Sequence, residues 1–460
     1  MGGLSRKATE LETLREDNAL SLTLDAGGLL FNRPMLRPEQ IEIGKITARA
    51  IINAYELMNY DAVGISSYDL TAGIEFLQQA SQESKFPWLS ANILNSSNQQ
   101  PVFKPATTIK LDAIKVGVIG ITNPAAYIEK DDGFIIVPWQ QILPELTQEM
   151  SKSCDMLILL SSLPKQANQQ IANEIEGIHL IIQTGTQNQP TQKIQNTLIT
   201  GTGAKGKYIG EMAINWQPSK KWSMGNKERL KTYRQRLDQI NWRIKKLEQK
   251  GIPEKNAATP RVLNNYQNLV ETQKQLTTEI ALLENTKEEK VSTYINRFIA
   301  LEKKLPEQPA VQKIIDKARA DVNKKGKQRV TKNNPQKPKH YLGWESCIKC
   351  HPAQKTAWLK TRHARSYQTL ELKKQQYNLD CLPCHVTGIT IKNENQALSL
   401  AKEYRQVGCE ACHGTGTEHI RTEGKRSMPF PRPAAKVCLR CHTPEHSDDF
   451  NYQRDRHLVH

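Results

Sequence analysis

The sequence predicts a multidomain chain with an α/β region at the front, an α-helical coiled-coil hairpin in the middle, and a mostly α-helical and irregular region at the end. Three observations support this prediction. Helical and strand patterns alternate first, a polar, lysine-rich heptad pattern follows, and eight of the nine cysteines lie near the end. We therefore divide the chain into an α/β domain (1–218), a helical hairpin (225–305), a basic helix with a linker (306–340) and a cysteine-rich domain (341–460).

The front region reads as helices and strands in alternation, the pattern of an α/β domain. Several strands are continuous apolar runs, as expected when both faces of a sheet are covered. The longest apolar cluster, Met156–Leu160, is far shorter than the ~18 residues of a membrane-spanning helix, so no transmembrane segment is predicted. The predicted helices are Ala8–Asn18 and Ile41–Met58, and the predicted strands are Leu20–Ala26, Ala62–Ile65, Lys115–Ile121, Met156–Leu160 and His179–Gln183.

The middle of the chain carries two amphipathic patterns separated by a glycine- and proline-containing break at 251–260. The first seam is Leu230, Tyr233, Leu237, Ile240, Ile244 and Leu247, and the second includes Leu263, Tyr266, Val270, Ile280 and Leu283. An antiparallel hairpin is the simplest interpretation. Its seam either closes within one chain or forms a homodimer contact, and the pattern fits both.

A basic stretch follows the hairpin. Between Val311 and Lys339 there are ten Lys or Arg residues and two acidic residues. The stretch is either a solvated helix that runs into a linker or, with a formal net charge of +17 on the whole chain, a docking surface for an anionic redox partner. It has no interleaved aromatic residues, so nucleic-acid binding is not predicted.

The end of the chain repeats the pattern Cys-x-x-Cys-His four times. Zinc, dithiol exchange and covalent heme all use Cys-x-x-Cys, but only heme c gives a reason for a histidine after every pair, since that histidine becomes the proximal iron ligand. We therefore predict four heme c groups. The predicted attachment residues are Cys347, Cys350, Cys381, Cys384, Cys409, Cys412, Cys438 and Cys441, and the predicted proximal ligands are His351, His385, His413 and His442.

Histidine is also the predicted ligand on the far side of each iron, because the region 341–460 contains a single methionine, Met428. The candidates are His340, His363, His419, His446, His457 and His460. If only three of them bind, one iron is five-coordinate and open to small ligands. A domain of this length has a radius of gyration of roughly 13–14 Å, so the cofactors would lie close together and are expected to supply most of its core.

Attachment of heme c takes place outside the bacterial cytoplasm, so the four boxes predict a periplasmic or extracellular protein. The first residues, Met1–Arg6, contain no apolar segment of a signal peptide. We therefore expect a signal peptide upstream of the given sequence.

The cysteine-rich region resembles the tetraheme cytochromes c of the hydroxylamine-oxidation type over nearly all of 341–460. The resemblance lies in residues 341–347, Trp358 with Arg362-His363-Ala364, Cys384-His385-Val386-Thr387-Gly388, and residues 408–414 with His419. It implies that His363 and His419 are distal iron ligands. The ending Arg456-His457-Leu-Val-His460 resembles the terminal segment of related multiheme proteins, which implies His460 as a third.

The front region, about residues 2–216, resembles the metallophosphatase domain of UshA-type 5'-nucleotidases. The resemblance lies in residues 22–28, 60–63, 73–77, 115–122 and 206–210. It implies that the first strand of this domain, with its Asp-x-His motif, would precede Met1.

The metal-binding positions of that family are replaced here. The bridging aspartate position holds Gly28, the Asn-His pair is Ser67-Tyr68, the next histidine is Ser162, and the closing Gly-His-x-His segment is 184–187. None of these side chains can replace a carboxylate or imidazole in a two-metal site. We expect the nearby Asp25 and Asp69 not to bind metal, and we expect His179 and Cys154 to be structural.

The sequence thus favours an extracytoplasmic tetraheme electron carrier over an enzyme, with redox proteins as partners and a phosphatase-like domain that lacks its metal ligands. The alternative is a redox enzyme that acts on a small nitrogen or sulfur compound at a five-coordinate heme. A heme-bearing phosphohydrolase is the least favoured.

Overall fold

The computed structural model describes residues 3–124, 133–185, 188–203, 206–218, 221–223, 226–249, 252, 260–285, 291–330, 337–389, 398–443, 447 and 449–459. The helices are α1 (Leu4–Asp17), α2 (Pro38–Leu57), α3 (Ile74–Glu83), α4 (Leu143–Ser151), α5 (Lys165–Glu174), α6 (Asn226–Glu248), α7 (Pro260–Asn285), α8 (Pro309–Val330), α9 (Pro352–Leu359), α10 (Ser366–Leu372), α11 (Leu382–His385), α12 (Cys409–His413), α13 (Thr417–Arg421), α14 (Ala435–Cys438) and α15 (Tyr452–Asp455).

The strands all lie before residue 301, within the described part of the chain. They are β1 (Leu24–Asp25), β2 (Ala62–Gly64), β3 (Trp88–Leu89), β4 (Ile93–Asn95), β5 (Ala106–Leu111), β6 (Ile114–Ile121), β7 (Phe134–Ile136), β8 (Met156–Ser161), β9 (Leu180–Gln183), β10 (Gln189–Ile194), β11 (Thr197–Gly201), β12 (Tyr208–Asn215) and β13 (Thr293–Ala300).

The front region is built on two larger sheets, accompanied by two antiparallel strand pairs, β4-β7 and β12-β13. One is a parallel sheet in the order β1-β2-β3, and the other has six strands in the order β10-β11-β9-β8-β6-β5, parallel in its centre and antiparallel at both edges. Alternate residues of β6 enter different cores: Val116 and Val118 lie in one apolar cluster, and Ile119 and Ile121 in another. The sheet is therefore covered on both faces, which confirms the predicted α/β architecture.

The first predicted strand is shorter than expected. Leu20–Ala26 was expected to be extended throughout, but only Leu24–Asp25 forms a ladder. Its partner β2 has only three residues, so few backbone groups are available to pair with β1.

The hairpin helices α6 and α7 pack on each other in antiparallel directions. Arg234 contacts Glu284, Asn241 contacts Gln273, and Glu248 contacts Tyr266. Ile240, Ile244 and Leu276 form the buried centre of this contact. Within the described residues the seam is thus satisfied inside one chain.

Two elements after the hairpin return to the front region, which differs from the predicted division at 218 and 305. Strand β13 pairs along its whole length with β12, so the hairpin is inserted between two strands of one ribbon. Val311 and Ile315 of α8 are buried in the same core as residues of α1 and α2. From the ten basic residues between Val311 and Lys339 the sequence suggested either a solvated helix or a docking surface, and the buried contacts of α8 differ from the first interpretation. Most of the predicted linker (331–336) lies outside the described residues.

The cysteine-rich region consists of short helices and turns, as predicted. It also contains an apolar cluster of its own: Tyr367, Leu370, Leu379, Leu382, Val386, Ile389, Leu398, Leu400, Ala401 and Tyr404. The expectation that the cofactors supply most of its core therefore needs correction for the part around the second box. None of the described helices is both long enough and apolar enough to span a membrane.

Candidate functional site

The first histidine pair joins the first Cys-x-x-Cys-His box to the end of the third. The ring centroids of His351 and His419 are 6.2 Å apart, and the ring planes are inclined by 24°. Two imidazoles on opposite sides of one metal ion have centroids about 6 Å apart, since each metal–nitrogen bond is ~2 Å and each nitrogen lies ~1 Å from its ring centre. The space between these rings therefore fits one iron.

The second pair joins the fourth box to the segment between the first two. The centroids of His363 and His442 are 5.9 Å apart, and their planes are inclined by 72°. Burial lowers the pKa of His363, and the neighbouring His442 lowers it further; burial also lowers the pKa of His442. Both rings are thus kept in the neutral form that binds metal.

Backbone carbonyls orient three of the histidines. Nδ1 of His419 donates to the Arg426 carbonyl (2.6 Å), Nδ1 of His385 to that of Ser366 (2.8 Å) and Nδ1 of His413 to that of Phe430 (2.9 Å). A carbonyl can only accept, so the proton sits on Nδ1, and Nε2 carries the lone pair used for coordination. The Nδ1 atom of His442 pairs with the Ser447 hydroxyl instead (3.0 Å).

The four boxes adjoin each other in two pairs. The Cys409 thiol lies beside that of Cys347, and this contact lowers the pKa of Cys409. The contact of Cys384 with Cys441 lowers the pKa of Cys384 to about 7, while the pKa of Cys441 is raised. The first box therefore lies beside the third, and the second beside the fourth.

A buried carboxylate, which sequence reasoning missed, holds the first and third boxes together. Glu410 is 2% exposed and accepts the backbone N–H groups of Leu342 and Gly343 (both 2.9 Å) and of Gly416 (2.8 Å). It thereby fixes the entry to the first box against the segment that leads to His419. In the sequence, the only indication of this role is an acidic residue between the two cysteines of the third box.

The remaining candidate ligands are placed less directly. Among the described residues no second imidazole faces His385, whereas His446 and His460 lie outside the described residues. His457 is exposed, and its Nε2 accepts from Arg456. His340 is also exposed and borders, with His419, a cleft of about 280 Å³.

The donor arrangement does not favour zinc or a disulfide. All eight box cysteines are described, yet the described residues include no group of three or more His, Cys, Asp or Glu side chains that could hold a metal ion. A structural zinc site needs four such ligands. The nine cysteines, all described, are free thiols. The porphyrin itself supplies the other ligands of its iron, so the chain needs to provide only two axial donors. Each histidine pair contains two such donors.

In the front region, Asp69 occupies the meeting point of the loops that follow β1 and β2. It is fully buried and accepts four backbone N–H groups at 2.8–2.9 Å: those of Gly28, Leu29, Leu30 and Ser66. Burial raises its pKa, while these hydrogen bonds lower it. The carboxylate therefore joins the two loops, and both of its oxygens are already engaged.

The other positions that replace metal ligands are also engaged in the fold. Ser162 is buried, and its hydroxyl accepts the Asn123 N–H and lies near the Ile65 carbonyl. Ser67 is buried and Tyr68 is exposed. Thr184 donates its N–H to Ser161, whereas the end of that segment, 186–187, lies outside the described residues. Asp25 accepts from the Tyr55 hydroxyl (2.8 Å).

His179 and Cys154 have structural surroundings. Nδ1 of His179 accepts the Leu157 N–H (3.0 Å), the ring meets Trp216 edge-on, and burial lowers its pKa to about 4. Cys154 is half-buried beside Thr108.

Comparison with known proteins supports both ends of this description. Residues 346–414, which contain the first three boxes, match the family described as cytochrome c554 and c-prime. The match identifies a region similar to c-type cytochromes, whose cofactor is heme c. It covers too little of the chain to assign the whole protein to that family.

The front region is similar to 5'-nucleotidases. Snake venom 5'-nucleotidase of Gloydius brevicauda is 24% identical over 194 residues, which are 39% of this chain and 31% of that protein. Protein UshA of Yersinia enterocolitica is 38% identical over 67 residues, 15% of this chain and 12% of that protein. The chain thus spans about a third or less of the length of these relatives.

A 5'-nucleotidase precursor from Thermus thermophilus has a related solved structure. It superposes with a TM-score of 0.47 at 12% identity, over 70% of this chain and 53% of that one.

Proposed function

We propose that this protein is a tetraheme c-type electron carrier that works outside the cytoplasm between redox partner proteins. The observation that supports the proposal is two histidine pairs, His351 with His419 and His363 with His442, whose ring centroids lie 6.2 and 5.9 Å apart, the separation of two axial ligands on one iron. In each pair one histidine belongs to a Cys-x-x-Cys-His box and the other does not. This is the arrangement that bis-histidine coordination requires.

The proposed ligand set keeps the attachment residues and proximal histidines predicted from the sequence, together with the three distal histidines that the resemblance implies. The attachment residues are Cys347, Cys350, Cys381, Cys384, Cys409, Cys412, Cys438 and Cys441. The proposed iron ligands are His351, His385, His413, His442, His363, His419 and His460. Heme c, when bound, supplies reversible one-electron chemistry at iron. The chain would bind it and orients three of the imidazoles through carbonyl acceptors.

The proposed role of the front region is docking or assembly rather than phosphate-ester hydrolysis. The two-metal chemistry of phosphatases requires converging carboxylate and imidazole ligands. Asp69, the buried acid between the loops that follow β1 and β2, instead accepts hydrogen bonds from four backbone N–H groups. A homodimer through the hairpin remains a prediction, because the described seam contacts lie within one chain.

The experiment that tests the proposed function uses electron paramagnetic resonance of the ferric, heme-loaded protein. We expect His419→Ala to convert one low-spin heme to a high-spin heme, because one axial donor is lost. His340→Ala, which removes the nearby exposed imidazole, is the matched control and should leave the spectrum unchanged. Identical spectra of the wild type and His419→Ala would refute the pairing of His351 with His419.

A second candidate function is redox catalysis at an open iron on a small nitrogen or sulfur compound. It is favoured by one observation: His385 faces no second imidazole among the described residues, although its Nδ1 is oriented like the others. A high-spin signal in the ferric wild type that disappears when cyanide is added would support this candidate. A wholly low-spin wild type would exclude it.

A further inference from the structure

Helix α8 presents two different faces to two different parts of the molecule. Val311 and Ile315 are buried in the core of the front region. Arg319, Asn323 and Gly326 follow each other at steps of four and three and share a face that adjoins the face of Val311 and Ile315. This second face meets the cysteine-rich region beside the second box.

The contact on this face is close. A Cβ atom added at Gly326 would lie 2.4 Å from the Cβ of Tyr377, so only glycine allows the helix to approach this closely. Glycine inside a helix costs about 1 kcal/mol relative to alanine, which the packing must offset. Arg33 of the front region forms an ion pair with Asp380, the residue before Cys381. The front region and α8 therefore pack against residues beside the second box.

Polar groups at this contact lack partners. Three buried side-chain atoms have no hydrogen-bond partner among the described residues: Nε of Arg319, Oδ1 of Asn323 and, next to Tyr377, Oε1 of Gln376. A buried donor or acceptor without a partner costs about 1–3 kcal/mol, and more when it belongs to a charged group. Arg319 has one described ion pair, with Asp316 at 3.3 Å through Nη1, which leaves the Nε side of its guanidinium unused.

The charge of Arg319 reaches the second box. Burial raises the pKa of Cys381 to about 11, and the positive charge of Arg319 opposes this effect. A guanidinium binds a carboxylate through Nε and a terminal nitrogen in a planar fork, and the amide groups of Asn323 and Gln376 can donate when their nitrogen and oxygen positions are exchanged. Heme c carries two propionate carboxylates.

We propose that Arg319 of α8 binds a propionate of the heme that is attached through Cys381 and Cys384. The proposal rests on the proposed function, because it requires heme at the second box. It makes the front region part of a heme site: the guanidinium neutralises a carboxylate beside the iron, stabilises the reduced form, and joins the two regions through the cofactor.

The test is redox titration of the heme-loaded protein, followed by visible absorbance. We expect Arg319→Gln to lower the potential of one of the four hemes, because the propionate loses its counter-charge. The expected effect is about a tenfold fall in the ratio of reduced to oxidised heme at a fixed ambient potential, which corresponds to about 59 mV for one electron. Arg319→Lys should retain most of the wild-type potential.

Two further variants make the test specific. Lys317→Gln removes the same charge from an exposed position of the same helix and should leave all four potentials unchanged. Asn323→Asp adds a negative charge one turn along the same face and should lower the same potential as Arg319→Gln, so it replaces that variant if the latter does not fold.

The outcomes separate this inference from the proposed function. Four potentials that stay unchanged in Arg319→Gln or Asn323→Asp would overturn the inference and would mean that ordered water satisfies these atoms. An equal shift in Lys317→Gln would also overturn it. The number of hemes in each variant, measured by mass, tests the proposed function independently. If a variant carries four hemes with unchanged potentials, only the inference about Arg319 fails, and the proposed electron-carrier function is retained.

Discussion

At the residue scale, the orientation of the histidines depends on partners that no motif contains. The Cys-x-x-Cys-His repeats predicted the attachment residues and the proximal histidines, because spacing alone carries that chemistry. The carbonyls of Ser366, Arg426 and Phe430, which hold the rings, belong to residues 7–19 positions away in sequence. Every residue has a backbone carbonyl, so the sequence does not show which carbonyls accept hydrogen bonds from these histidines.

Glu410 provides the first prediction at this scale. We expect Glu410→Gln to lower the free energy of unfolding of the cysteine-rich region by about 1.5–3 kcal/mol, because a buried carboxylate that accepts three N–H groups is replaced by a neutral amide. The measurement is denaturant unfolding followed by heme absorbance. Glu371→Gln, an exposed control, should have no effect, and equal stability of the two variants would contradict the role given to Glu410.

His179 provides a prediction about pH. Its folded-state pKa is about 4, below the ordinary value of 6.5, so the unfolded chain binds the proton more tightly. The stability that neutral His179 contributes is complete above pH 6.5 and is lost as the pH falls toward 4. Between pH 7 and pH 4.5 we expect the wild type to lose about 2–3 kcal/mol relative to His179→Gln.

The tryptophans beside His179 make this change measurable. Trp216 touches the ring and Trp222 donates to the His179 carbonyl, so urea unfolding can be followed by tryptophan fluorescence. Parallel pH dependence in the wild type and His179→Gln would show that other groups cause the acid sensitivity.

At the element scale, periodicity predicted the helices well and their packing partners less well. The heptad pattern identified α6 and α7, because each apolar seam continues along its helix, but the pattern fitted both closure within one chain and a homodimer contact. Helix α8 was expected to be a solvated basic helix, since its lysines dominate its composition. Its core contacts at Val311 and Ile315 depend on a surface formed by distant parts of the chain, which composition does not reveal.

The hairpin provides the prediction at this scale. Leu276 is 3% exposed in the seam, whereas Leu282 on the same helix is 63% exposed. We expect Leu276→Ala to destabilise the hairpin by about 2–4 kcal/mol and Leu282→Ala to change it by less than about 0.5 kcal/mol. Hydrogen exchange of the α6 and α7 amides measures both, and equal protection in the two variants would contradict the seam.

At the scale of the whole molecule, a framework similar to 5'-nucleotidases is combined with a region similar to c-type cytochromes. From residue types alone, the sequence led to the prediction that the metal-binding positions of the 5'-nucleotidase family are replaced in this chain. It could not show that Asp69 joins the two loops, because the four N–H groups it accepts come from backbone. Asp69→Asn should therefore reduce the stability of the front region by about 1.5–3 kcal/mol, while the exposed Asp321→Asn should not.

Nucleotide hydrolysis tests the account of the front region. We expect no metal-dependent release of phosphate from AMP in the presence of Mn²⁺, because the described residues at the strand ends offer no converging set of metal ligands. Metal-dependent turnover that Asp69→Asn abolishes would show that the site is active.

Four hemes covalently attached at the end of the chain are the feature on which the proposed function depends. The most direct measurement is the intact mass, under denaturing conditions, of protein exported by a host that matures c-type cytochromes. We expect the mass of the chain plus four heme groups. When both cysteines of any single box are replaced by alanine, we expect the mass of the chain plus three heme groups. A mass equal to that of the chain alone, or heme that separates on acid extraction, would contradict it.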